Sequence, residues 1–293
     1  MTGHIILFGK NGQLGYELCR SLACLGEVTA LDYPEIDFTH PEQLSSLITA
    51  EKPSLVVNAA AYTAVDRAES EPEIARLING DAPGVMAESC GRIGAGFIHY
   101  STDYVFDGKK GTPYTEKDET HPLNAYGLTK LAGERSVLAA GGSSWIFRTS
   151  WVYSNRRDSF VSKVIEWSAN RTSLRIVTDQ VSNPTWARAL AEATSLALAA
   201  GIRDIRGWMQ QTAGLYHLAG SGYASRLEWA REILAVHQAG NPGRAVALEP
   251  ASSSEFPTPA LRPEFTALDC GLFANTFGIR LPEWRLSLGQ AMA

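Results

Sequence analysis

Five short apolar runs recur through the first 150 residues, and each hands over to a stretch with helical spacing. That alternation constrains the fold more than any other feature of the sequence. His4–Phe8, Glu27–Leu31, Ser54–Asn58, Gly96–Tyr100 and Ser144–Arg148 read as strands. Between them Gln13–Leu25 reads as a helix with Leu14, Leu18, Leu22 and Leu25 on one face, and Gly26 ends it. Pro41–Ala50 follows Thr39 as a helix N-cap, and Val65–Asn79, Ala82–Ile93 and Asn124–Ala140 complete the helical set. No hairpin signal joins one strand to the next, so the connections are crossovers. Strand–helix–strand crossovers are right-handed and build a parallel sheet with helices on its faces. The expected fold class is α/β, a doubly wound Rossmann-type parallel sheet with ligands held beyond the carboxyl ends of its strands.

After Trp151 the texture changes. Ser159–Asn170, Ala187–Ala200 and Ala224–His237 read as helices, Leu174–Val177 as a strand and Thr212–Gly222 as a strand and turn. Leu248–Pro263 contains Phe256-Pro-Thr-Pro-Ala-Leu-Arg-Pro263 and reads as a loop stiffened by proline. A chain of 293 residues exceeds a usual single core. The expected division is a dinucleotide-binding domain over residues 1–150 and a smaller C-terminal substrate-binding lobe over 151–293, with some segments at about 171–222 returning to the sheet.

Composition removes whole classes of function. The 26 basic side chains against 31 acidic ones give a net charge of −5, the wrong sign for a protein that mainly neutralises nucleic-acid phosphates. With 45% hydrophobic residues the chain is not disordered. Cys19, Cys24, Cys90 and Cys270 form no C-x-x-C pair and no zinc-ligand cluster, so they read as free thiols in a reducing compartment. The N-terminus lacks the basic start and long apolar run of a secretory signal, and no stretch approaches the roughly 20 apolar residues that span a bilayer. A soluble cytoplasmic protein is expected, with no nucleic-acid or membrane partner.

The first chemical signal is Gly9-Lys-Asn-Gly12-Gln-Leu-Gly15, directly after a strand and opening a helix. That is the context a dinucleotide fingerprint requires. Gly9 allows the tight turn, Gly12 the approach of a pyrophosphate, and Gly15 close helix–sheet packing. The residues between them, Asn11, Gln13 and Leu14, belong to the same expected cofactor site, where a helix N-terminus offers free N–H groups to phosphate. Asp32 closes the second strand, where a carboxylate accepts ribose hydroxyls and repels a 2′-phosphate. This favours NADH, although Lys10 in the phosphate turn offsets the repulsion and keeps NADPH open. Asp37 and Phe38 follow at the adenine side, or serve as turn residues. Asn58-Ala59-Ala60-Ala61 ends the third strand with small side chains that let the backbone lie close to a cofactor or simply pack.

The second signal is Tyr126-Gly-Leu-Thr-Lys130, a phenol and an ammonium at i and i+4 on one helix face. The fourth strand leads straight into Ser101-Thr102-Asp103. A lysine cation lowers a neighbouring phenol's pKa, and such a tyrosine acts as general acid to a carbonyl oxygen while hydride reaches the carbon. Thr102, with Ser101 as the alternative, would hydrogen-bond the same oxygen, and Lys130 the nicotinamide ribose. A surface Tyr–Lys pair on an amphipathic helix gives the same spacing.

Taken together these blocks resemble the extended short-chain dehydrogenase/reductase family, whose members act largely on nucleotide sugars. The resemblance is carried by Leu7–Gly15, Val57–Asp66, Ala68–Pro72, His99–Gly108, Pro122–Glu134 and Phe147–Tyr153. Downstream it continues through Asp179-Gln180, Asn183-Pro-Thr185, Gly214–Leu218 and Pro257–Pro263. It implies reduction of the 4-keto group of dTDP-4-dehydro-L-rhamnose to give dTDP-L-rhamnose. Tyr126 is then the proton donor, tuned by Lys130 and joined by Thr102. Ala61, Tyr62, Thr63 and Tyr100 line the cofactor. Asp103, Asn124 and Trp151 contact the sugar nucleotide, with Tyr153 beside Trp151 either in the pocket or in the core, and Arg262 reaches its diphosphate. The family includes homodimers with a divalent metal (Mg) held by acidic side chains at the subunit contact. Glu17 fits that role by position, but Leu286–Ala293 carries no carboxylate side chain, so Glu17 is expected on a plain surface and no metal site is assigned. Another 4-keto nucleotide-sugar reductase, or a non-catalytic cofactor-binding relative, remains open at this point.

Overall fold

The structure is a computed structural model and describes residues 3–240 and 245–293. Met1 and Thr2, part of the N-terminal stretch considered above, lie outside them. In the first half the strands are β1 (His4–Phe8), β2 (Glu27–Leu31), β3 (Leu55–Asn58), β4 (Gly96–Thr102) and β5 (Ser144–Thr149). The helices are α1 (Gln13–Leu22), α2 (Pro41–Glu51), α3 (Val65–Ala68), α4 (Pro72–Arg76), α5 (Ala82–Ile93) and α6 (Ala125–Ala140), with a π-turn over Leu77–Asp81. The second half adds β6 (Val152–Tyr153), α7 (Phe160–Asn170), β7 (Ser173–Val177), β8 (Val181–Ser182), β9 (Thr185–Trp186), α8 (Ala187–Ala199) and α9 (Ile205–Gln211). It ends with β10 (Gly214–His217), β11 (Ala224–Ser225), α10 (Arg226–Gly240), β12 (Ala247–Ala251), α11 (Gly271–Phe277) and α12 (Trp284–Met292).

Six parallel strands form one sheet in the order β10-β5-β4-β3-β1-β2. The expected doubly wound α/β class is what the chain adopts. Successive strand residues point to opposite faces, and the two cores sort accordingly. Ile5 and Leu7 of β1, Ile98 and Tyr100 of β4, and Trp145 and Phe147 of β5 pack with α1 and α8. Ile6, Phe8, Phe97 and Ile146 face the other way, onto α2 and α5. Burial on both faces explains why these strands read as unbroken apolar runs. The order reverses between β1 and β3, so the turns after those two strands flank the crevice where ligands of such sheets bind.

A third core holds the remaining lobe: Tyr153, Val161, Leu174, Trp229, Ile233, Trp284 and Leu288, beneath the paired strands β7 and β12. Residues 187–217 belong physically to the sheet layer, because α8 packs on α1 and β10 forms the sheet's edge beside β5. Among the described residues no helix is long and apolar enough to cross a membrane.

Some local expectations are corrected. α1 stops at Leu22, and Leu25 N–H donates to Leu22 O at 2.8 Å as the chain turns into Gly26. Gly26 must be small, since a Cβ there would lie 2.2 Å from Gly3 O. The Val65–Asn79 helix is broken, with Pro72 opening α4 at its first turn and the π-turn joining α4 to α5. β4 runs two residues further than its apolar pattern, because Ser101 and Thr102 stay in register with Arg148 and Thr149. Leu248–Pro263 is not all loop: Ala247–Ala251 pairs with β7, and Pro250 is tolerated because β12 has a single neighbour.

Candidate active site

β1 delivers the chain into Gly9, whose φ of +90° suits glycine. A Cβ on Gly15 would lie 1.9 Å from Gly9 O, so the packing of α1 against the turn requires its absence. Gly12 is different. Its nearest obstruction is Gly9 O at 3.3 Å, and it lines a cleft of about 980 Å³ together with Gly9, Gln13 and Leu14. The N-cap of α1 makes no side-chain hydrogen bond and its first turn carries no acid, which leaves the helix N-terminus open to an anion. Thr149, also in the cleft wall, has a buried hydroxyl without a partner. A bare glycine backbone, an uncapped helix start and an orphaned hydroxyl fit a dinucleotide.

Asp32, Phe38, Ala59, Ala60, Ala61, Tyr62, Thr63 and Tyr100 line the same cleft. Asp32 accepts from the N–H groups of Asn11 at 2.9 Å and Tyr33 at 2.8 Å. Lys10 turns away from the phosphate turn and bonds Glu35 at 2.7 Å. Phe38 is buried edge-on to Phe8. Asn11, Gly15 and Asp37 stand outside the cleft lining. The Asp37 carboxylate accepts from the N–H and hydroxyl of Thr39, at 2.9 and 2.7 Å, and these bonds hold its pKa below the ordinary value. It therefore acts as a turn residue.

The other wall is α6. Asn124 caps it by accepting from Gly127 N–H at 2.8 Å, and Gly127 is required there because a Cβ would lie 2.3 Å from Tyr104 O. Tyr126, Lys130 and Thr102 all line the cleft. Lys130 is buried and donates to Tyr100 O at 2.6 Å, with His99 Nε2 at 3.3 Å. Burial pulls its pKa down to about 8, against the opposing influence of Glu134. For Tyr126 the expectation of a lowered pKa is reversed: burial pushes the phenol up and a hydrogen bond with Thr102 only partly offsets this, while Asp103 adds to the rise. The phenol is held protonated, the form a general acid needs. Asn79, from the π-turn, braces this wall against the opposite one. It accepts from Tyr62 N–H at 2.9 Å and donates to Tyr62 O at 3.1 Å and Thr129 Oγ1 at 3.2 Å.

Beyond Thr102 the cleft meets the second lobe. Asp103 is buried and accepts from Thr102, Ser182 and Thr266 hydroxyls at 3.1, 3.0 and 2.5 Å. Desolvation outweighs these bonds and raises its pKa to about 6. Trp151 lines the cleft with φ +40°, a strained conformation for a bulky residue. Its ring stacks on Trp229, and the Arg226 guanidinium lies 3.6 Å from its centroid. Tyr153 is fully buried in the third core. Asn124 and Arg262 stand outside the cleft lining: Asn124 Nδ2 donates to Leu261 O at 2.7 Å, and Arg262 is engaged by Asp66.

Sequence reasoning passed over Asn79, His99, Arg226 and the cleft-lining pair Arg156-Arg157. The adjacent arginines were the one available signal. Glu17 pairs with Arg20 at 2.7 Å, and among the described residues no cluster of three or more His, Cys, Asp or Glu has a metal-holding arrangement.

The family model described as the RmlD substrate binding domain matches residues 3–293. A dTDP-4-dehydrorhamnose reductase from Burkholderia thailandensis is 44% identical, over 97% of this chain and 96% of that protein. The Escherichia coli K12 protein of the same name is 39% identical, over 99% and 97%. A crystal structure of a dTDP-4-dehydrorhamnose reductase from Clostridium acetobutylicum superposes with a TM-score of 0.89 at 34% identity, covering 99% of this chain and 98% of that one. One from Bacillus anthracis, in complex with NADP, gives a TM-score of 0.88 at 29% identity, covering 99% of both.

Proposed function

Because this chain belongs to the dTDP-4-dehydrorhamnose reductase family, we propose that it catalyses the NAD(P)H-dependent reduction of the 4-keto group of dTDP-4-dehydro-L-rhamnose to give dTDP-L-rhamnose. The single observation that carries this reading is the cleft itself. One wall is a bare glycine turn at a helix start, and the other presents Tyr126, Lys130 and Thr102 together.

Gly9, Gly12, Gln13, Leu14, Asp32, Phe38 and Ala59–Thr63, which line the cleft, hold the nicotinamide dinucleotide. When bound, it supplies the hydride that the carbonyl carbon takes up. Tyr126 gives its phenolic proton to the carbonyl oxygen, so that C=O becomes CH–OH with one hydride and one proton gained. The raised pKa keeps that proton in place until the oxygen becomes basic. Thr102 Oγ1 orients the oxygen. Lys130, with a pKa near 8, sits where it can exchange a proton close to neutrality. Trp151, Asp103 and Arg226 form the sugar-nucleotide end. We assign the cofactor end, with Asp103 at its margin, to residues 1–150, and the rest of the sugar-nucleotide end mainly to residues 151–293, some of which (about 171–222) return to the sheet.

The test is turnover of dTDP-4-dehydrorhamnose with NADH and with NADPH, followed by loss of nicotinamide absorbance. Oxidation of reduced cofactor dependent on the sugar is the expected result. Cofactor binding without turnover of this or any other 4-keto nucleotide sugar overturns the reading in favour of a non-catalytic relative.

A further inference from the structure

His99 is wholly buried on β4, and no step above uses it. Its two ring nitrogens touch two groups of the site. Nδ1 lies 3.2 Å from Asn58 Nδ2, and Nε2 lies 3.3 Å from Lys130 Nζ. The Asn58 amide is oriented independently, because its Oδ1 accepts from Ala60 N–H at 3.1 Å. Nδ2 therefore faces the imidazole and donates to Nδ1. Burial and the neighbouring lysine hold the ring well below its ordinary pKa, so it is neutral. A neutral imidazole that accepts at Nδ1 carries its one proton on Nε2. That N–H points at Lys130 Nζ. An ammonium has no lone pair to receive it; an uncharged amine does, while still donating to Tyr100 O.

We propose that His99 is a positioning residue for the reaction: its Nε2–H donates to Lys130 Nζ, favours the uncharged amine, and ties the charge state of Lys130 to Asn58 and the cofactor loop that follows β3. For Lys130 to become an ammonium, the histidine must shift its proton to Nδ1. That sets two N–H groups against each other unless the Asn58 amide flips and gives up Ala60 N–H. Protonation at Lys130 is thereby felt in the backbone at Ala60, which lines the cleft. The other groups ranged around Lys130 are accounted for. Glu134 and Tyr126 lie one turn away on its own helix, Arg148 from β5 neutralises Glu134, Asp103 lies at the end of β4, and the π-turn contributes the uncharged Asn79.

The proposal rests on Lys130 belonging to the active site, yet its first test needs no turnover. In the full-length protein labelled with 15N-histidine, the ring nitrogens of His99, assigned by loss of its signals in His99→Asn, report the tautomer directly. We expect the neutral Nε2–H form at pH 9, where Lys130 is mostly uncharged, with a change as pH falls through about 8 that disappears in Lys130→Met. An Nδ1–H tautomer at pH 9, or a tautomer that stays the same between pH 9 and pH 7, overturns the proposal, even if the enzyme reduces its sugar as proposed above. The second test follows the Lys130 titration through its 13Cε shift. His99→Asn keeps an acceptor for Asn58 but loses the donor to Lys130, and raises that pKa by about one unit, a tenfold change in the protonation equilibrium. His99→Gln places an amide N–H where Nε2–H stood and restores the native value. Equal pKa values in the native, Asn and Gln proteins overturn the proposal.

Discussion

Arg262 grips Asp66 with both arms of its guanidinium, Nη1 to Oδ1 at 2.6 Å and Nη2 to Oδ2 at 2.8 Å, across 196 residues of sequence. The pair joins α3, just beyond the cofactor loop, to the proline-rich segment of the second lobe. Arg262 also donates to Ala260 O at 2.6 Å, and Ala260 N–H donates to Asp66 at 3.2 Å, so the carboxylate fills a nest shaped for an anion. If a diphosphate takes that place, Asp66→Asn weakens its competitor and lowers KM for the sugar nucleotide, whereas Arg262→Ala raises KM about tenfold, the loss of roughly one charge-assisted hydrogen bond. KM for the cofactor stays put in both. Steady-state kinetics with each substrate varied separately decides it, and a rise in KM for the sugar in both variants shows that the pair serves only to hold the lobes.

Replacing Tyr126 by Phe removes the proposed proton donor and keeps the ring that stands edge-on to Tyr104, centroids 5.9 Å apart. Turnover falls by about 100-fold or more. Cofactor affinity, measured by fluorescence titration, changes little. A variant with full activity removes Tyr126 from the mechanism.

Arg148 of β5 and Glu134 of α6 meet in two bonds of 2.9 and 2.6 Å, both almost without solvent contact, and Ser101 Oγ donates to the same carboxylate at 2.5 Å. Arg148→Met leaves a buried carboxylate unpaired and costs about 3–5 kcal/mol. Adding Glu134→Leu recovers most of that loss, because the isolated charge goes with it. Urea denaturation of the single and double variants measures both effects.

Asp103 gives stability a pH dependence of defined sign. Its folded pKa is raised from 3.8 to about 6, so between those values the folded chain keeps a proton that the unfolded chain has lost. Its contribution to stability is full below pH 4 and is lost as pH rises through 6, an amount on the order of 3 kcal/mol. Asp103→Asn abolishes that slope. The difference between native and variant unfolding free energies, measured at pH 4 and pH 7, carries the test.

Much of this was legible in the sequence because it is local. A strand, three glycines and a helix start define one wall within fifteen residues. Tyr126 and Lys130 share a helix face by spacing alone. What stayed hidden depends on contacts between distant segments. His99 looks like one more residue of a buried strand until Asn58, 41 positions earlier, fixes its tautomer. Asn79 gains its bracing role only where a π-turn presents it to Tyr62, and Arg226 only where α10 lays it on Trp151. The short helices α9 and α11 have seven residues each, fewer than periodicity needs to declare itself, and Pro250 disguised β12 as loop. The spacing shows the charged neighbour of Tyr126 but not the burial, and desolvation decides the phenol's proton affinity.

The edge strand β10 has a consequence for how the protein is made. Gly214–His217 closes the sheet beside β5, and Tyr216 and α11 cover Trp145 and Phe147. A nascent chain synthesised only as far as Thr149 therefore carries the complete glycine turn and α6 on a sheet with an open, aromatic flank. At ordinary rates of translation that flank stays bare for on the order of 10 s, until the sixth strand leaves the ribosome. For that interval the chain exposes Trp145 and Phe147, aromatic surface that the finished molecule buries completely, and such surface is prone to aggregate.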